Sequence, residues 1–138
     1  MRDGFIKAAA VTPKIRVADV DYNTEQVISL YREAAENGAK IIVFPELVLT
    51  SYTCGDLFLQ SSLLKKARAA LKRIVKQSAG IKALTFVGLP LEVDGKLYNV
   101  AAALSDGELL GFVPKVNIPN YSEYYERRHF TEGTGPAR

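Results

Sequence analysis

Three short apolar runs in this sequence each give out at a proline, and that punctuation limits the chain to a small menu of folds. Phe5 to Val11 stops short of Pro13, Ile41 to Phe44 stops at Pro45, and Leu109 to Val113 stops at Pro114. Proline has no N–H to give a sheet ladder, so each run predicts a strand whose pairing ends where the proline enters. Ile41-Ile42-Val43-Phe44 has no polar position, which predicts a strand covered on both faces, and Phe5 to Val11 predicts a buried first strand. Leu84 to Leu89 and Leu97 to Leu104 predict two more strands. Asp94-Gly95 precedes the second of these and Asp106-Gly107 follows it, and such pairs make tight hairpin turns.

Between the early strands the apolar period changes. Val27, Leu30, Tyr31, Ala34 and Ala35 recur at helical spacing, Asn23 with Gln26 makes a variant of the capping box, and Asn37-Gly38 supplies a stop, so a helix is predicted from Thr24 to Glu36. A second helical region is predicted from Asp56 to Ser78, broken near Ser61-Ser62. Leu64, Ala67, Leu71, Ile74, Val75 and Ser78 share one face of it, and Lys65, Arg68, Lys72 and Lys76 form a solvated stripe on the other. Strand, helix, strand, helix and then three strands joined by two tight turns argue for an α/β layered sheet with helices packed on one face. A helical turn is expected over Ser122 to Arg128, and Gly133 to Arg138 reads as loop chemistry, so the domain is expected to continue past this point.

With 138 residues, 48% of them apolar, the chain can bury one ordinary core. Its net charge of +3 and pI near 9.0 are mild, and the excess lies on the helical stripe, which argues against a nucleic-acid partner. There is no long apolar run and no leader-like start, so no membrane partner and a cytoplasmic location are expected. One cysteine, Cys54, rules out an intrachain disulfide, and Cys54 with the single histidine, His129, cannot close a zinc site unaided. No metal ligand set is expected.

Two charged residues hold equivalent places. Glu46 follows Phe44-Pro45 at the end of one strand, and Lys115 follows Val113-Pro114 at the end of another. Loops that leave strand ends in an α/β sheet are where ligands commonly sit, although either residue taken singly is also an ordinary surface charge.

Phe44-Pro45-Glu46-Leu47, followed by Thr50-Ser51-Tyr52-Thr53-Cys54-Gly55-Asp56-Leu57-Phe58, resembles the first signature of the nitrilase superfamily in the branch that serves glutamine-dependent NAD synthesis. Val87-Gly88-Leu89-Pro90 with Leu97-Tyr98-Asn99 resembles that family's central strands. Gly111 to Tyr121 resembles its lysine motif, and Glu123 to Phe130 the segment after it. Four motifs in the right order are far more specific than one. Ser51 departs from the pattern, which usually has glycine there, and the change is expected to be tolerated.

The resemblance implies an αββα sandwich, about half of it within this sequence, and a Glu-Lys-Cys triad that hydrolyses the side-chain amide of glutamine. Glu46 would be the general base, a buried carboxylate that takes the thiol proton, and Lys115 would hold the oxyanion. Glu126 would be the second glutamate that orients substrate or proton transfer, with a salt bridge to a neighbouring arginine as the plain alternative. Tyr52 and Tyr121 would line the glutamine pocket, or pack as core. The nucleophile is expected downstream of Lys115, where no cysteine occurs, and Cys54 is expected to be a small non-catalytic residue, so this chain alone is expected to be inactive. No cofactor is expected for the amidase step. ATP and Mg are implied for a separate synthetase domain, which together with the rest of the glutaminase domain would be the partner, in a homo-oligomer. A free-standing amidase or carbamoylase and a catalytically dead binding module are the rival readings.

Overall fold

Alternating helices and two-residue turns dictate the order in which the strands meet. The computed structural model describes residues 5–51 and 61–115, and the backbone of 120–121 and 124–125. Strands β1 (Ala8–Ala10), β2 (Ile41–Val43), β3 (Leu84–Val93), β4 (Lys96–Ser105) and β5 (Glu108–Pro114) form one sheet in sequence order. β1, β2 and β3 pair in parallel, because helices α1 (Val20–Glu36) and α2 (Ser61–Gln77) carry the chain back between them. β3, β4 and β5 pair antiparallel through Asp94-Gly95, with φ of 51 and 77, and Asp106-Gly107, with φ of 46 and 80. Positive φ at both central residues is the mark of the I′ hairpin turn, which is why aspartate and glycine stand there. Two reversals restore the direction, so the C-terminal ends of β2 and β5 lie at the same end of the sheet.

Pairing places Ile42, Thr85, Val87, Leu89, Ala102 and Leu104 on one face, each with 0% exposure. Burial of each large aliphatic among them stabilises the fold by about 1.5–3 kcal/mol. The apolar residues among them form one core with Leu63, Ala67, Ala70, Leu71 and Ile74 of α2 and with Val27, Ile28 and Tyr31 of α1. Tyr31 meets Phe44 edge to face at 6.3 Å and accepts a hydrogen bond from the Thr85 hydroxyl at 3.3 Å. On the outside, ion pairing of Arg73 with Glu25 and a hydrogen bond from Arg32 to Gln77 tie the helices together. Lys65, Arg68, Lys72 and Lys76 are exposed, as the stripe predicted.

Several expectations are corrected. The opposite face of the sheet is open, with Val43 42%, Leu84 37% and Val113 47% exposed, so β2 is covered on one face and not two. β1 is an edge strand with Ala8 and Ala10 exposed, not a buried one, because it pairs with β2 alone. Helix α1 starts four residues earlier than Thr24: Asp19 is its N-cap, accepting from the Tyr22 N–H at 3.1 Å, while Asn23 is buried inside the first turn. α2 is described from Ser61 onward, with Ser61 and Ser62 both helical, and the part of this helix expected over 56–60 lies outside the described residues. Within the helical turn expected over Ser122 to Arg128, residues 124–125 instead form β7 (Tyr124–Tyr125), paired with β6 (Asn120–Tyr121) in keeping with the strand preference of tyrosine, and the rest of that span lies outside the described residues.

Candidate active site

Pro45 ends β2 as expected, and what the chain does next builds the site. The Phe44 N–H makes the last contact in line with the ladder, to the Phe86 carbonyl at 3.0 Å. The chain then folds into a tight loop. The Leu47 carbonyl accepts from the N–H groups of Thr50, at 3.2 Å, and Ser51, at 2.9 Å, while Leu47 and Ser51 take φ of 53 and 81. Leu47, Val48 and Leu49 are completely buried. A buried loop must satisfy its backbone polar groups, and several of those here reach β3, α1 and the turn before α1. The Leu49 N–H donates to Gly88 of β3 at 3.3 Å, the Thr50 carbonyl accepts from Ala18 at 2.8 Å, and the Leu49 carbonyl accepts from the Asn23 amide at 3.1 Å.

Lys115 arrives from the other side of the sheet. Its N–H donates to the Asn99 carbonyl at 2.7 Å, one step beyond the paired end of β5 at Pro114. β2 and β5 are separated by β3 and β4, yet the Lys115 Nζ lies 2.9 Å from the Glu46 Oε1. The two side chains keep 26% and 38% exposure respectively. The expected burial of the Glu46 carboxylate is therefore not found: it stands at the rim of the open sheet face.

Beside the pair lies a cleft of about 450 Å³, floored by Phe86, Gly88, Asn99, Ala101 and Val113. An apolar floor with a few converging polar groups at one end suits a small polar ligand. The carboxylate can take a proton and the ammonium can stabilise a negative oxygen, so the pair holds the two charges that acyl transfer from an amide needs beside a nucleophile.

Of the residues singled out in the sequence, Glu46 and Lys115 are brought together. Tyr52, Cys54, Glu126 and His129 lie outside the described residues, as does the side chain of Tyr121. Asn23, Gly88 and Asn99 were not singled out for the site. The signal for Gly88 was present, since glycine inside a strand marks a close backbone approach. Local pattern marks Asn23 only as a helix cap and Asn99 only as part of a strand motif.

The profile of the carbon-nitrogen hydrolase family matches residues 7–137. The chain belongs to that family. A glutamine-dependent NAD(+) synthetase from Mycobacterium tuberculosis is 39% identical over 132 residues, which cover 96% of this chain and 19% of that protein. The crystal structure of a glutamine-dependent NAD(+) synthetase from Cytophaga hutchinsonii superposes with a TM-score of 0.87 at 27% identity, covering 92% of this chain and 22% of that one. An amidase from Nesterenkonia sp., at 23% identity, shares the fold with a TM-score of 0.77 over 96% of this chain and 50% of its own. The chain thus spans about a fifth of the length of the synthetases it resembles and half of the amidase. Its sheet and paired helices are part of the carbon-nitrogen hydrolase fold. Among the described residues, no helix is long and apolar enough to cross a membrane.

Proposed function

We propose that this chain supplies the base and the oxyanion-stabilising cation of a glutaminase site, which releases ammonia for an ATP-dependent synthetase domain that makes NAD. The observation that carries the reading is the 2.9 Å contact between Lys115 Nζ and Glu46 Oε1, reached across two intervening strands. A cysteine thiol brought to this rim by a further part of the same domain would give its proton to Glu46. The thiolate would attack the amide carbon, and Lys115 would face the oxygen as charge builds on it, an interaction worth about 3 kcal/mol for one donor. Glu46 would return the proton to the departing ammonia and then take one from the water that releases glutamate. Glu126 would assist as the second glutamate, and Tyr52 and Tyr121 would contact glutamine. ATP and Mg would serve the synthetase domain, in a cytoplasmic homo-oligomer.

In the longer protein carrying these residues, Glu46→Gln and Lys115→Met should each lower glutamine-dependent NAD formation at least about 100-fold while leaving synthesis from added ammonia intact. This chain alone should release no ammonia from glutamine. Near-normal glutamine use by the Glu46→Gln protein would refute the assignment.

A further inference from the structure

The placement of Glu46 depends on an atom that is absent. A Cβ built on Gly88 of β3 would lie 2.5 Å from the Leu47 nitrogen, 2.8 Å from the Pro45 oxygen and 3.1 Å from the Glu46 carbonyl carbon. All three neighbours are backbone, which cannot rotate aside as the tip of a side chain can. The loop that carries Glu46 therefore lies directly on Gly88, and it is held down there by the Leu49 N–H bonding to the Gly88 carbonyl at 3.3 Å. This crossing is what takes Glu46 past β3 toward β5 and Lys115. No positive φ demands glycine at this position, in contrast to Gly38, Gly80, Gly95 and Gly107, so close approach is what favours it.

We propose that Gly88 is a positioning residue for the Glu46–Lys115 pair: its bare backbone is the seat on which the Glu46 loop is set at the height and reach that the ion pair requires. Its importance for the reaction rests on the glutaminase reading, whereas the geometric claim does not. A methyl group at 88 lifts the backbone of 45–47 by the order of an ångström, because the 2.5 Å approach must open to an ordinary carbon–nitrogen contact. That displacement is comparable to the misplacement that costs well-oriented reactions about 100-fold.

The test is a zero-length carbodiimide cross-link on this chain. The reagent joins a carboxylate to an amine, with loss of water, only where the two already touch. The Glu46–Lys115 amide is read by peptide mass spectrometry from the monomer band of a denaturing gel. Gly88→Ala should lower its yield at least about ten-fold while cooperative thermal melting is retained. Gly80→Ala is the control: it strains a glycine with φ of 87 that has nothing within 4 Å of its Cβ, far from the pair, and it should leave the yield unchanged. In the longer protein, Gly88→Ala should lower kcat for glutamine hydrolysis about 100-fold with a smaller change in KM. An unchanged cross-link in Gly88→Ala overturns the proposal. So does loss of cooperative melting in that variant, which would make Gly88 a requirement of the fold and not a positioning residue. If the cross-link responds as expected but Glu46→Gln keeps full glutamine use, the positioning stands and the glutaminase reading falls.

Discussion

Replacing Asn23 with alanine should destabilise this chain by about 3 kcal/mol, well above the usual effect of a single substitution. The side chain is wholly buried and makes three hydrogen bonds: Oδ1 accepts from the Arg16 N–H at 2.7 Å, and Nδ2 donates to the carbonyls of Arg16 at 2.8 Å and Leu49 at 3.1 Å. Loss of the amide strands the Leu49 carbonyl inside the protein, and a buried acceptor without a partner costs about 1–3 kcal/mol. The two Arg16 groups lie nearer to solvent and each forfeits a net bond of about 0.5–1.5 kcal/mol. Alanine returns roughly 0.5 kcal/mol through its better helix propensity. With a urea slope of about 1–3 kcal/mol per molar, the unfolding midpoint should fall by about 1–3 M. Asn23→Asp sharpens the test, since it keeps an acceptor for Arg16 but turns a carboxylate toward two carbonyl oxygens. Its deficit should be largest at neutral pH and shrink as acid protonates the introduced group, because burial there disfavours the charged form. A midpoint for Asn23→Ala within about 0.2 M of the parent would refute the network.

Two shorter tests address other parts of the fold. Ser51, with φ of 81, occupies a conformation that disfavours β-branched side chains, so Ser51→Val should lose at least about 1–2 kcal/mol in the same urea assay while Ser51→Gly is tolerated. Burial raises the Tyr31 phenol above its ordinary value of 10.0, so the folded state keeps its proton where the unfolded chain has lost it. Its contribution to stability is therefore fully present below about pH 10 and is lost as the pH climbs beyond it, and Tyr31→Phe should flatten that part of the decline in melting temperature measured from pH 9 to 11.

The strands were legible because their signals are local. Pro45 stands just past the paired end of β2 and Pro114 is the last residue of β5, and Asp94-Gly95 and Asp106-Gly107 need positive φ at both positions, which few other pairs tolerate. The start of α1 is not legible in the same way, because Asn23 suits an N-cap by type and only its neighbours in space show that its amide is engaged with Arg16 and Leu49. The burial of β1 and β2 was overestimated because apolar character reports what a residue tolerates and not what lies on each side of it.

The candidate site divides along the same line. Glu46 and Lys115 stood out by residue type and by their matching places after a strand-ending proline, so the chemistry they can perform was visible from local pattern. Their contact was not, since 69 positions of sequence separate them and two strands lie between β2 and β5. Bringing them to 2.9 Å took the parallel and antiparallel pairing that returns β5 to the direction of β2, and a loop pressed onto Gly88 that spans the gap. Propensity and turn chemistry act over a few neighbouring residues, whereas the distance between two charges is set by the packing of every element between them.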